Sequence, residues 1–325
     1  MNQNRHPTKA QAAVLEDRHR TEIGPNLKSL LPEVSASTLF EHLNERKEGI
    51  DTMDQSRINS SPLLAPYAKT FTDGVTIDSA LLSDLASRSR LYLIFIQPRS
   101  GSTWLCELLK STGTLGNPQE WFNERFITNT NVRLDGKPPK LRGTADINAY
   151  IHDIVEETGG TAGVQLSYWH ALALSQLATA GLPMDKMVQF YLRRRDVISQ
   201  GISLFKSANT GYWHSYQENP EVLDEVSFDK QGCIAKIAQI VNAEIKFKQM
   251  FANCKLAPIP LYYEDICAAP LASLQSIASH IGGPVPQALP ATELVQLRND
   301  KTAHWKSELE SDPQVMDLMA QRPGF

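Results

Sequence analysis

Tyr92–Gly113, YLIFIQPRSGSTWLCELLKSTG, reads as three successive pieces. Leu91 to Ile96 form a short apolar run, the pattern of a strand inside a parallel sheet with both faces covered. Leu105, Leu108, Leu109 and Thr112 then recur at helical spacing, and Gly113 supplies a stop. Between them runs Pro98-Arg99-Ser100-Gly101-Ser102-Thr103. A strand turning through such a loop into a helix gathers free backbone N–H groups and the positive helix end at one point, which favours an anion. Gly101 lets the backbone approach a ligand closely, Ser100, Ser102 and Thr103 add hydroxyls, and Arg99 adds a planar charged fork. The loop lacks the Gly-Lys-Ser/Thr ending of an ATP- or GTP-binding loop, which disfavours those nucleotides held in the usual way. The structural alternative is a helix start with incidental serines.

Strand and helix patterns continue to alternate downstream. DINAYIHDIVEETGG is helical in period with Asp146 placed to cap it, TAGVQLSYW reads as a strand, and HALALSQLATAG as a helix. KMVQFYLRR is a further apolar strand followed by the helix-like DVISQGISLFKSA. A long helix fits residues 228–253, PIPLYYED is a last strand and PLASLQSIASHIG a last helix. The expected fold class is α/β, a three-layer parallel-sheet domain over residues 89–325. Residues 1–88 are polar and show no convincing buried strand, so they read as an N-terminal extension, mostly helical or disordered.

The net charge is −4 with no Lys/Arg-rich block, which gives no sign of a nucleic-acid partner, so anions must be held locally. No apolar run approaches the roughly 18–20 residues of a membrane span, and the polar N-terminus lacks a signal-peptide core. Cys106, Cys233, Cys254 and Cys267 form no Cys-x-x-Cys pair and read as reduced, buried thiols. The eight histidines are scattered without metal-ligand spacing, leaving no metal site expected. The expected compartment is the cytoplasm, and a homodimer is compatible with the sequence.

In a parallel sheet, ligands sit at the carboxyl ends of strands. Three strand ends carry unusual polar chemistry: Arg99 to Thr103, Gln165 to His170 and Arg193 to Asp196. Arg195 falls at a strand–helix junction, and Ser203 follows two helical turns later near the same face, an arrangement able to hold a second phosphate. The alternative is a surface arginine cluster paired with Asp196. Two separate anion sites suggest a nucleotide phosphorylated at both ends of its ribose.

PRSGSTWL, GNPQEWF, LRRRDVISQGISLFKSANTGYW, LYYEDI and the His-Trp of TAHWKSEL resemble, in order and spacing, the Stf0-type bacterial sulfotransferases, the trehalose 2-sulfotransferase family. The resemblance covers about residues 88 to 311 and implies a P-loop-like sulfotransferase fold. It further implies 3′-phosphoadenosine 5′-phosphosulfate (PAPS) as co-substrate, without a metal. Arg99, Ser100, Gly101, Ser102 and Thr103, with the adjoining Trp104, resemble the 5′-phosphosulfate loop. Arg195 and Ser203 resemble the 3′-phosphate clamp. The implied reaction moves a sulfuryl group to a hydroxyl, on a small-molecule or carbohydrate acceptor such as a glycolipid precursor.

Arg99 would neutralise charge growing on the leaving oxygen. The Lys-x-His of many cytosolic sulfotransferases is absent, because the matching strand ends Gln165-Leu166-Ser167. The family's alternative base is the glutamate of Pro-Gln-Glu, here Glu120, which Trp121 and Phe122 could desolvate. His170 is the reserve base. Trp169, Tyr212 and Trp213 could stack on adenine or an acceptor, though aromatics at strand ends are usually core. Glu264 and Asp265 read as caps of the next helix, and His304 and Trp305 have no derivable role. Two other readings stay open: a catalytically silent nucleotide-binding module and a kinase-like phosphotransferase. Acceptor specificity is expected in loops 127–145 and 209–228.

Overall fold

The computed structural model describes residues 55–123, 127, 145–213, 219–292 and 302–324. Residues 1–54 lie outside these, as do most of the 127–145 loop and residues 214–218 of the 209–228 loop.

Among the described residues, three helices precede the first strand: α1 (Gln55–Ser60), α2 (Ala65–Thr70) and α3 (Ser79–Arg88). Residues 1–88 read as a mostly helical or disordered extension, and these helices within it pack on the rest of the fold. Ile58, Leu64, Tyr67, Phe71, Ile77 and Leu85 are buried, and the Tyr67 hydroxyl donates to the Phe122 carbonyl at 2.7 Å. Ile77 also bridges Ala178. These helices therefore belong to the compact unit that runs from Gly49 onward.

The sheet is β1 (Arg90–Phe95), β2 (Thr161–Leu166), β3 (Val188–Arg193) and β4 (Ile259–Tyr262), all parallel, in the order β2-β1-β3-β4. Register brings Phe95 level with Leu166 on one side and Tyr191 on the other. Side chains alternate across a strand, so β1 serves two cores. Tyr92, Ile94 and Ile96 join Leu105, Leu108 and Leu109 of α4 (Ser102–Ser111) on one face.

The connections follow. α5 (Ile147–Glu157) begins where the Asp146 carboxylate accepts the N–H groups of Asn148 and Ala149. α6 (Tyr168–Leu177) is capped by Ser167, so Tyr168 and Trp169 open a helix rather than extend β2. α7 (Val197–Thr210) is capped by Asp196. α8 (Lys230–Asn253) covers the second face of the sheet: Phe95 and Tyr191 pack on its Phe247 and Phe251, with ring centroids 5.0–5.7 Å apart. After β4 come α9 (Tyr263–Ala268) and α10 (Pro270–Ile281); Ile266 of α9 and Leu274 and Ile277 of α10 join the first core. α11 (Ala303–Glu310) and α12 (Pro313–Gln321) add Trp305, Leu309 and Val315 to a satellite core on α7 and α8. This is the three-layer α/β architecture expected. Among the described residues no helix is long and apolar enough to cross a membrane.

Candidate active site

In the order β2-β1-β3-β4, the connection after β1 runs to β2 and that after β3 runs the opposite way to β4, which opens a crevice between the carboxyl ends of β1 and β3. The loop after β1 carries Arg99, and β3 ends in Arg193 with Arg194 and Arg195 following it.

The loop after β1 is held in an unusual backbone shape. Arg99 has φ 61° and Gly101 φ 90°, both left-handed. A Cβ on Gly101 would lie 2.3 Å from Cδ2 of Tyr263. Gly101→Ala is therefore expected to cost at least about 1–2 kcal/mol from backbone conformation alone, before the ring is displaced; thermal unfolding of the variant measures it. Gly101 is also the N-cap of α4, and no side chain caps that helix. Ser100 beside it is fully buried, with its hydroxyl oxygen unpartnered. A capless helix start with an orphaned buried hydroxyl fits an anion supplied from outside the chain.

Arg99 reaches across to α7 and the residues after it. Its Nε donates to the Ser203 hydroxyl at 2.9 Å and its Nη1 to the Trp213 carbonyl. Burial, then the neighbouring Arg194 charge, pulls its pKa down to about 10, so the guanidinium stays charged at neutral pH.

The three arginines after β3 diverge because successive side chains point to opposite sides. Arg193 turns into the core and forms a bidentate pair with Glu244 of α8, at 3.1 and 2.7 Å. The same carboxylate takes two bonds from Arg322 (2.7 and 2.9 Å), which also donates to the carbonyls of Arg194 and Arg195. Arg194 points to the first loop, with its guanidinium 4.7 Å from the Tyr263 ring centroid and 3.4 Å from the Arg99 carbonyl. Arg195 is exposed, lies 4.0 Å over the Tyr262 ring and pairs through both terminal nitrogens with Asp265 at 2.6 and 2.8 Å.

Glu264 and Asp265 are thus not caps of α10. Asp265 holds the Arg195 guanidinium, and Glu264 accepts the backbone N–H groups of Arg195 and Asp196 at 3.0–3.2 Å. The structure brings Ser203 to Arg99, whereas Arg195 and Ser203 share no hydrogen bond.

Glu120 lies within electrostatic reach of Cys106, midway along α4. Gln119 bridges Val164 of β2, and the Gln165 amide donates to the Pro118 carbonyl at 3.2 Å and to the Cys106 sulfur. Burial, followed by the Glu120 and Glu107 carboxylates, pushes the Cys106 thiol up. Trp121 and Phe122 are buried anchors: Trp121 Nε1 donates to the Gly163 carbonyl, and the hydroxyls of Tyr150 and Tyr67 donate to the Trp121 and Phe122 carbonyls. Glu120 itself is half-buried, and its Oε2 accepts from Asn123 at 2.8 Å.

Of the remaining candidates, His170 sits in the first turn of α6, where its N–H meets the capping Ser167 hydroxyl. Trp169 is exposed beside Lys246, and Tyr212 is buried. Trp213 carries the carbonyl that Arg99 meets, Trp104 sits edge-on to Tyr263, and Trp305 is core under Lys206. His304 is exposed and pairs with Glu308 at 3.0 Å. The four cysteines are free, with Cys106 and Cys233 buried but Cys254 exposed and Cys267 half-buried.

Residues 91–312 match the sequence model of the Stf0 sulphotransferase family. The chain is 26% identical over 254 residues to trehalose 2-sulfotransferase of Mycobacterium tuberculosis, covering 66% of this chain and 92% of that protein. It is 22% identical over 261 residues to trehalose 2-sulfotransferase of Mycolicibacterium smegmatis, covering 69% and 95%.

Proposed function

The chain belongs to the Stf0 sulphotransferase family, and on that footing we propose that it moves a sulfuryl group from PAPS to a carbohydrate hydroxyl. The observation that carries the reading is the β1 loop, where the capless start of α4, the orphaned Ser100 hydroxyl and the Arg99 charge meet at the β1/β3 crevice. The names of the two mycobacterial relatives support a sugar acceptor.

PAPS, when bound, supplies an activated sulfuryl group whose departure leaves a bisphosphorylated nucleotide. The backbone N–H groups of Ser102, Thr103 and Trp104 and the hydroxyls of Ser100 and Ser102 orient its 5′ end. Arg99 receives the charge that grows on the bridging oxygen as the S–O bond breaks. Arg195 and Ser203 serve the 3′-phosphate: Arg195 is exposed with one edge held by Asp265, and Ser203 exchanges its Arg99 partner for the ligand. Glu120 takes the proton of the acceptor hydroxyl as its oxygen bonds to sulfur. The Asn123 bond fixes one carboxylate oxygen and leaves the other for that proton.

Calorimetry with 3′,5′-bisphosphoadenosine and with ATP, alongside transfer of radiolabelled sulfate from PAPS to a panel that includes trehalose, tests the reading. Binding of the bisphosphate but not ATP, with label in a sugar, is expected. Equal or preferential ATP binding would overturn it, and tight bisphosphate binding with no transfer to any acceptor would point to a silent module.

A further inference from the structure

Arg99 and Arg194 act on each other with like charge, and among the described residues no acid pairs with either. Their side chains meet only neutral groups among the described residues: Ser203 and the Trp213 carbonyl for Arg99, the Arg99 carbonyl and the Tyr263 ring for Arg194. Arg194 Nε is buried with no hydrogen-bond partner. The arginines on either side differ, since Arg193 is paired with Glu244 and Arg195 with Asp265. Tyr263 sets the position of this charge. Its ring lies against Gly101, the N-cap of α4, and 4.7 Å from the Arg194 guanidinium, which also reaches the Arg99 carbonyl of the same loop. A buried guanidinium facing another is costly unless an anion sits between them. The orphaned Ser100 hydroxyl lies in the same loop.

Building on the donor reading above, we propose that Arg194 is a donor-binding residue that grips the anionic 5′ end of the sulfate donor together with Arg99. Arg194 then completes a two-arginine clamp over the β1 loop, while Arg195 works at the other end of the nucleotide. The planar fork matters, because it can give two N–H bonds to one phosphoryl or sulfuryl group. The ligand-free protein carries the repulsion of the pair, and bound donor relieves it.

The test uses the full chain with Arg194→Met and Arg194→Lys, measuring ligand-free melting temperature and 3′,5′-bisphosphoadenosine binding by calorimetry. Arg194→Met should leave the ligand-free melting temperature unchanged or raise it, while weakening binding about 10- to 100-fold. Arg194→Lys, with charge but no fork, should fall between Met and wild type. Wild-type affinity in either folded variant would overturn the proposal, as would loss of folding in both, which would make Arg194 structural. If wild-type protein binds no bisphosphate, the donor reading itself fails; if it binds and the variants bind equally, only the role of Arg194 fails.

Discussion

Replacing Glu244 with glutamine is expected to destabilise the protein by about 3–5 kcal/mol, the usual cost of leaving a buried charge uncompensated. Glu244 is about as enclosed as a side chain can be, at 1% exposure, and it accepts four hydrogen bonds from the guanidiniums of Arg193 and Arg322. Glutamine keeps the shape but removes the only negative charge in the group. Two buried cations then face each other, and one amide nitrogen points at a donor. Arg322→Ala should cost less, because the Arg193–Glu244 pair remains matched one to one and Arg322 is nearer solvent. Urea unfolding of both variants measures the difference. A Glu244→Gln protein within about 1 kcal/mol of wild type, the range of an ordinary surface pair, would show that the cluster carries no stability. The carbonyls of Arg194 and Arg195 are bonded to Arg322, so weakened nucleotide binding should accompany the loss.

The second large effect is on turnover. Glu120→Gln is expected to lower kcat by about 10²- to 10⁴-fold, the typical contribution of a positioned general base. Nucleotide affinity should stay at the wild-type value. The amide oxygen of glutamine can still accept the Asn123 bond, and the anchors Trp121 and Phe122 are untouched, so geometry is conserved and only basicity is lost. In the proposed reaction Glu120 acts on the acceptor and not on the donor, so the two readouts should separate. Steady-state sulfate transfer beside calorimetry of 3′,5′-bisphosphoadenosine makes the check. Undiminished turnover would remove Glu120 as the base.

The β1–loop–α4 unit was legible in the sequence because each part leaves a local mark: an apolar run, a glycine-serine turn, and leucines at helical spacing. The packing of the helices before residue 88 was not. α1 and α2 have six residues each, too few to display a period, and their burial depends on contacts such as Tyr67 with Phe122, 55 residues away. Tyr168 and Trp169 suggest strand by their β-prone aromatic rings, yet the Ser167 cap turns them into a helix. In the site, three consecutive arginines could be seen but not told apart. Their directions follow from strand parity, and their partners Glu244 and Asp265 lie 51 and 70 residues downstream. Long-range charge pairing has no period, so only the fold sorts Arg193, Arg194 and Arg195 into three different surroundings.

Arg322 also has a consequence in time. It lies 127 residues beyond the Arg195 carbonyl that it holds. As synthesis proceeds from the N-terminus, all four strands emerge and can pair while Glu244 has only Arg193 for company. The corner that presents Arg194 and Arg195 acquires its clasp after the helices α11 and α12 have left the ribosome. The scaffold is ready early; the arginine corner is fastened late.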